Sequence, residues 1–287
     1  MRELSDALAG LSAGPDLLIG LDVDGTILHH DTSLSPRVRD AILAHVAAGT
    51  HVVIATGRGI AGTQLALDAI GLTGVYTVCS NGAIVAAFGE DPGLVPTTPV
   101  SPDITDRDVH IVGVHTFDPS TEIAKVLEGL PDVAIAVESM SSATRISAPF
   151  PTGELSGRLV LSPPDQLVGP DTTRVTIRAP HMTAMELLEA IESLGLRGIE
   201  YAVGWSAWMD LAPAGVSKAV GLADVQAIVG AARTIAVGDS GNDCEMLAWA
   251  DVGIAMANSR PYIHKFADAI APHVNDDGLA LVLETLL

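Results

Sequence analysis

The chain opens and closes on short apolar runs that do not alternate, each followed by a stretch of helical period, and few architectures accept that rhythm. Residues 17–23 read Leu-Leu-Ile-Gly-Leu-Asp-Val, a continuous apolar run ending in carboxylates, as a strand buried on both faces does. Residues 37–48 have helical spacing and stop at Gly49, and 51–56 is a second apolar run broken by Gly57. A helical segment over 61–70 closes at Gly71, and 75–79 is a third short strand ended by Ser80-Asn81-Gly82. This β-α-β-α-β order predicts an α/β protein with a doubly wound parallel sheet. After Ala212-Pro213 the rhythm returns, as helix 217–229, strand 234–237, helix 242–250, strand 252–255 and a last helix over 278–287.

The middle obeys different rules. Residues 88–110 are rich in Pro, Asp and Thr with little periodicity. A helix is expected over 119–128, strands over 133–137 and 144–147, and a half-exposed alternating strand over 174–178 (RVTIR). Pro163-Pro164 argues against a long helix in 153–169. The clearest amphipathic helix is 182–194, with Met185, Leu188, Ile191 and Leu194 on one stripe, and strand-like runs follow at 198–203 and 207–211. Two α-β-β units in succession predict an α+β domain over 87–211, inserted into a parallel core formed by 1–86 and 212–287. About 15 residues precede the first strand, and Leu4, Leu8 and Leu11 give them a helix-like pattern suited to packing on the core or on a partner.

Charge removes several classes of function. The formal net charge is −20, which repels phosphate backbones and anionic lipid, so nucleic-acid and membrane-surface binding are not expected. Four Phe, three Tyr and three Trp are too few for a base-stacking platform, which would also need a basic groove. No apolar run reaches the roughly 18 residues of a membrane span, and the N-terminus does not read as a signal peptide. Cys79 and Cys244 form neither a disulfide framework nor a zinc spacing, so the expected compartment is the cytoplasm. Cys244 follows Asp243 at a presumptive helix start, where a thiol can be activated, but a buried structural role is the expectation.

Three polar motifs sit at the carboxyl ends of the predicted parallel strands, where open α/β sheets hold their ligands. They are Asp22-Val23-Asp24-Gly25-Thr26, Thr56-Gly57-Arg58 and Gly238-Asp239-Ser240-Gly241-Asn242-Asp243. Asp22, Asp24, Asp239 and Asp243 would then converge from separate strand ends. Four crowded carboxylates repel, by about 4 kcal/mol for two charges about 4 Å apart at an effective dielectric of 20. Some are therefore protonated or a cation sits among them, and hard oxygen ligands at rigid strand ends suit Mg²⁺. Strand alternation puts Asp22 and Asp24 on one side, where two carboxylates can divide the work of nucleophile and general acid. Gly25 lets the backbone turn away, with a positive φ open to it.

DVDGT, ATGR, a lysine at 218 and GDSGND, in that order, resemble the four motifs of the haloacid dehalogenase superfamily of phosphotransferases. The tail ADVGIAMANS followed by VNDDGLALVL, and SNGA at 80–83, resemble its Cof-type branch, whose members carry a large type IIB cap after the third strand. Only Ile27, where the family commonly has Leu, departs from the motifs. The resemblance implies a Rossmann-like core with an inserted α+β cap. It implies Asp22 as the nucleophile that becomes an aspartyl-phosphate and Asp24 as acid and base. It implies Thr56 and Lys218 as phosphate-binding groups with Gly57 and Asn242 nearby. Asp22, the main-chain carbonyl of Asp24, and Asp239 would hold Mg²⁺, with Asp243 supporting the metal directly or through water.

Arg58 and Asn81 are candidate substrate contacts, although a surface salt bridge would equally account for Arg58. Arg145, Arg174 and Arg178 in the insert are candidates for anionic or hydroxylated substrates. The expected activity is a Mg²⁺-dependent phosphatase acting on a small phosphorylated metabolite, a sugar phosphate first. A phosphosugar mutase and a catalytically idle phosphometabolite-binding protein are the alternatives. Oligomeric state stays open.

Overall fold

Each unalternating apolar run becomes a buried strand in a computed structural model that describes residues 2–89, 93–105, 107–169, 171–196, 199–203 and 207–287. A four-residue helix α1 (Leu4–Ala7) precedes β1 (Leu17–Leu21). Next come α2 (Pro36–Ala47), β2 (His51–Ala55), α3 (Ile60–Ile70) and β3 (Val75–Cys79). All five residues of β1 and of β3 are buried, as a strand covered on both faces requires. The chain then doubles back through β4 (Ile84–Phe88), β5 (Thr98–Pro99) and β6 (Val109–Val114).

The insert runs through α4 (Ser120–Gly129), β7 (Ala134–Ser139), β8 (Thr144–Ile146), β9 (Leu159–Leu161) and β10 (Thr172–Arg178). It continues with α5 (Ala184–Ser193), β11 (Ile199–Val203) and β12 (Trp208–Pro213). Residue 198, the start of the expected strand 198–203, lies outside the described residues. The chain returns as α6 (Lys218–Val229), β13 (Arg233–Gly238), α7 (Cys244–Trp249), β14 (Val252–Met256), β15 (Ala269–Ala271) and α8 (Gly278–Glu284).

Two sheets result. One has nine strands in the order β15-β14-β13-β1-β2-β3-β4-β6-β5, parallel from β15 to β3 and antiparallel beyond. The other has six, in the order β11-β12-β10-β7-β8-β9. Apolar layers cover both faces of the first sheet: Ile19, Leu21, Ile54 and Ile254 belong to one, and Leu18, Val53, Val78 and Leu222 to the other. A third core around Ile135, Val175, Ile177, Leu187 and Met209 lies under α4 and α5 on the second sheet.

Several expectations are corrected. Residue 86, where the sequence has the chain leave the first sheet, lies inside β4, and that sheet runs on to Val114. The strand expected to be half-exposed over 174–178 is buried over Thr172–Ile177 on both faces, Val175 and Ile177 in the core under α4 and α5, and Arg174 and Thr176 against Glu138, Asp210 and the Gly57 carbonyl. Met185 does not join the apolar stripe of α5: it is 57 % exposed, and Leu187 and Ile191 hold the buried face. Thr183 caps that helix through a reciprocal capping box with Glu186, so the helix begins at Ala184 rather than at residue 182. At the N-terminus Ala7 and Leu8 are buried, Arg2 N–H donates to the Asp268 carbonyl and Ala13 N–H to that of Leu286, so the extension packs on the β15 side of the sheet.

Both passages between the sheets meet one turn. His115 N–H donates to the Ala83 carbonyl at 2.8 Å. On the way back Ser217 presses on Gly82, where an added Cβ would lie 2.1 Å from the Ser217 carbonyl oxygen, at a φ of +103°. Only glycine fits there. No helix among the described residues is long and apolar enough to cross a membrane.

Candidate active site

β1 delivers Asp22 to the carboxyl edge of the first sheet, where its N–H still extends the ladder to the Val237 carbonyl. Gly25 turns the chain with a φ of +86°, and a Cβ there would lie 2.2 Å from Asp239 Oδ2. The glycine therefore lets the first motif pass directly against the last. On the next strand, Gly238 leaves room for Asp243 to fold back and accept from the N–H groups of Asp239 and Ser240, each at 2.9 Å.

Lys218, the first residue of α6, is completely buried and bridges the acids: Nζ donates to Asp22 Oδ1 at 2.6 Å and to Asp243 Oδ1 at 2.7 Å. Burial works against its charge, but the two carboxylates outweigh that and hold its pKa above the ordinary lysine value. Burial also pushes Asp22 up to about 7, with Asp243 adding repulsion and Lys218 opposing it. Asp239 is pushed up to about 8, by burial first and then by Asp22 and Asp243.

The acids form a cluster of three rather than four. One oxygen each from Asp22, Asp239 and Asp243 lies within 4.8 Å of the others. Asp24 stands apart in the cleft, its side chain 56 % exposed and gripped by Arg58 at 2.5 and 2.9 Å. Asp22 Oδ2 and Asp239 Oδ1 are buried and accept no hydrogen bond. Two orphaned acceptors among crowded, buried acids are what a divalent cation would relieve, so the residues present fit Mg²⁺. Asp243 is different, because backbone donors and Lys218 already occupy its oxygens.

A cleft of about 660 Å³ opens above these groups, between the two sheets. Of the residues the sequence singled out, Asp22, Asp24, Thr56, Gly57, Arg58, Arg174 and Asn242 line it; Lys218, Asp239, Asp243, Asn81, Arg145 and Arg178 do not. Thr56 Oγ1 accepts from Arg58 N–H at 3.1 Å, which keeps the hydroxyl hydrogen available. Asn81, at a φ of +56°, accepts from Asn242 Nδ2 at 2.8 Å and braces the loop from behind.

Asn258 escaped the sequence reading of the site. It donates to Asp239 Oδ2 and to the Gly25 carbonyl and accepts from Val274 N–H, tying three segments together. The only signal was its place in the tail motif, two residues past the apolar strand β14. The insert arginines all have partners within the protein. Arg174 is buried against Glu138 and Asp210, Arg178 is paired with Glu154, and Arg145 donates to the Gln166 carbonyl. The Cys244 thiol is pushed up to about 11 by burial and by Asp243, which leaves it a structural group.

The family of haloacid dehalogenase-like hydrolases matches residues 19–112 and 152–283. The chain is 27 % identical over 274 residues to the 5-amino-6-(5-phospho-D-ribitylamino)uracil phosphatase YitU of Bacillus subtilis, a match covering 93 % of this chain and 96 % of that one. It is also 27 % identical over 269 residues to a phosphoglycolate phosphatase of Natronomonas pharaonis, covering 93 % and 96 %. In fold it is similar to the subclass IIB sugar phosphatase BT4131, with a TM-score of 0.74 at 18 % identity over 93 % of this chain and 97 % of that one.

Proposed function

The chain belongs to the haloacid dehalogenase-like hydrolases, and from that membership we propose a phosphatase that cleaves small phosphorylated metabolites, a sugar phosphate first, through a phosphoryl group carried on Asp22. The observation that carries this reading is the state of Asp22: one oxygen fixed by Lys218, the other unpartnered at the floor of a cleft. A nucleophile needs that combination of fixed orientation and open electron pair.

In the first half of the reaction an Asp22 carboxylate oxygen bonds to phosphorus and the bond from phosphorus to the ester oxygen breaks. Asp24 gives that oxygen its proton. In the second half water attacks phosphorus, Asp24 takes the water's proton, and phosphate leaves with Asp22 restored. Arg58 holds the Asp24 carboxylate ionised in the cleft by a two-pronged bond, and Asp24 takes up, gives and takes back its proton once one of its oxygens has turned from Arg58 to the ester oxygen. Thr56, Gly57 and Asn242 are the groups we assign to the phosphoryl oxygens, and Lys218 steadies the charge on Asp22 from behind. Asp22 and Asp239, with the Asp24 carbonyl, would hold Mg²⁺, and Asp243 would support them from its backbone anchors. When bound, Mg²⁺ would supply positive charge to the phosphoryl oxygens and to the acids around them.

In this reading residues 1–86 and 212–287, together with the strands through Val114 on the same sheet, are the catalytic core. The remainder of 87–211 is the cap, which roofs the cleft and limits entry to small esters. Phosphate release should be measured from a panel of monoesters with Mg²⁺, with chelator, and with Asp22→Asn. Release that needs Mg²⁺ and is lost in Asp22→Asn supports the proposal. No release from any ester by the folded protein overturns it.

A further inference from the structure

The cleft has a second wall, supplied by the insert, and its charge is arranged in an unusual way. Arg174 makes four hydrogen bonds, to Glu138 Oε1 at 2.6 Å and Oε2 at 3.2 Å, to Asp210 Oδ2 at 3.4 Å, and to the Gly57 carbonyl. Its side chain is only 7 % exposed. One guanidinium thus sits between two carboxylates in a wall nearly closed to water. Asp210 is filled further by Thr176 Oγ1 at 2.8 Å and Trp208 Nε1 at 3.1 Å. Glu138 is the more open of the two acids, with 17 % of its side chain exposed and a weak 3.4 Å contact from Ser80 Oγ.

The other arginines facing this space are engaged as well. Arg58 holds Asp24, and Arg158 pairs with Asp103 at 2.7 Å. Arg260 is exposed, on the core rim of the cleft rather than in the insert wall. What the insert wall offers beyond its ion pairs is an excess of carboxylate, the hydroxyls of Ser139, Ser142 and Thr144, and the Trp208 ring.

From this we infer that the group leaving with the ester oxygen carries hydrogen-bond donors and no second anion: a hydroxyl-rich or amino-bearing alcohol, with Glu138 as the acceptor that reads it. The inference rests on the phosphatase reading. Hydroxyls and ammonium groups donate to carboxylates, which matches the wall. A second phosphate or a carboxylate would face Glu138 and Asp210 in a poorly hydrated space, where like charges side by side are costly and Arg174 has little left to offer. Discrimination here comes from repulsion of the wrong group as much as from attraction of the right one.

Matched esters test this with the full-length protein and Mg²⁺. One set is sorbitol 6-phosphate, glucosamine 6-phosphate and 6-phosphogluconate; a shorter one is 2-hydroxyethyl phosphate, phosphoethanolamine and phosphoglycolate. In whichever set is cleaved faster, kcat/KM for the anionic member should be at least tenfold below the better of the other two. A gap smaller than tenfold, or a preference for the anion, overturns the inference while leaving the phosphatase reading intact. Failure to cleave any ester overturns both. Glu138→Gln should narrow the gap at least threefold, and an unchanged gap in a variant with native circular dichroism removes Glu138 from the proposal. The wild-type comparison stands without the variant.

Discussion

The ammonium of Lys218 lies 2.6 Å from Asp22 Oδ1, and neither water nor any surface reaches it: the lysine side chain is 0 % exposed. The pair joins the start of α6 to the end of β1, and Asp243 completes it from the other side. Such an arrangement fixes Asp22 but leaves the protein dependent on a single positive charge.

Removing that charge should therefore harm both stability and activity. Lys218→Met leaves two buried carboxylates uncompensated, a loss of about 3–5 kcal/mol in comparable buried pairs. Denaturant unfolding should show it, along with loss of phosphate release. Adding Asp22→Asn to Lys218→Met should recover part of the stability and none of the activity. A double variant less stable than the single one would contradict this account.

The raised carboxylates give the metal-free protein a particular pH dependence. Burial and the neighbouring acids push Asp22 up to about 7 and Asp239 up to about 8 in the folded protein, against 3.8 for an ordinary aspartate. Their folded pKa values are raised, so the stability they contribute is complete below about pH 4 and is lost as pH climbs through 7 and 8. In chelator, stability should fall across pH 5–8 by up to about 1.4 kcal/mol per pH unit for each group titrating, and the melting temperature should fall with it. Mg²⁺ should stabilise little at pH 5 and progressively more toward pH 8, because the cation and these protons compete for the same oxygens. Equal stabilisation at both ends would rule the competition out.

Asn258 ties Asp239 to the Gly25 carbonyl and to the start of the loop at Val274. Asn258→Ala should weaken Mg²⁺ binding by about 10–100-fold, as loss of an outer partner does at other metal sites. Titration calorimetry reads this directly, and activity should return at high Mg²⁺ if the acids themselves are intact.

Gly59 touches the insert wall. A Cβ on it would lie 2.4 Å from Glu138 Oε2, which Arg174 holds in place. Gly59→Ala should push the two halves apart at the mouth of the cleft, a cost of about 1–3 kcal/mol for an overpacked contact. The expected readout is a higher KM for sugar phosphates. A KM unchanged from wild type would mean the wall gives way without consequence.

The parallel core could be read from the chain because both its signals are local. Apolar runs such as 17–21 and helical spacings such as 36–47 each declare themselves within about a dozen residues. Asp22, Thr56 and Asp239 were legible for the same reason, since each follows a strand whose position was already fixed, whereas Lys218 opens α6. What escaped depends on partners far along the chain. β4 and β6 join the first sheet by pairing with each other and with β3, which no local period announces. Arg174 looked like a free cation in an alternating strand until Glu138 and Asp210 met it from two other strands. Asp24 left the acid cluster for the same kind of reason, drawn off by Arg58 from the end of another strand.

The inserted half begins and ends at one place, because His115 and Ser217 both press on the turn at Ala83 and Gly82. A segment anchored at neighbouring points behaves as an exchangeable part. It could be shortened, enlarged or replaced without unravelling the strands beneath it, since no strand of the nine-stranded sheet runs through it. The same chemical floor can in this way be given a different roof, and with it a different diet.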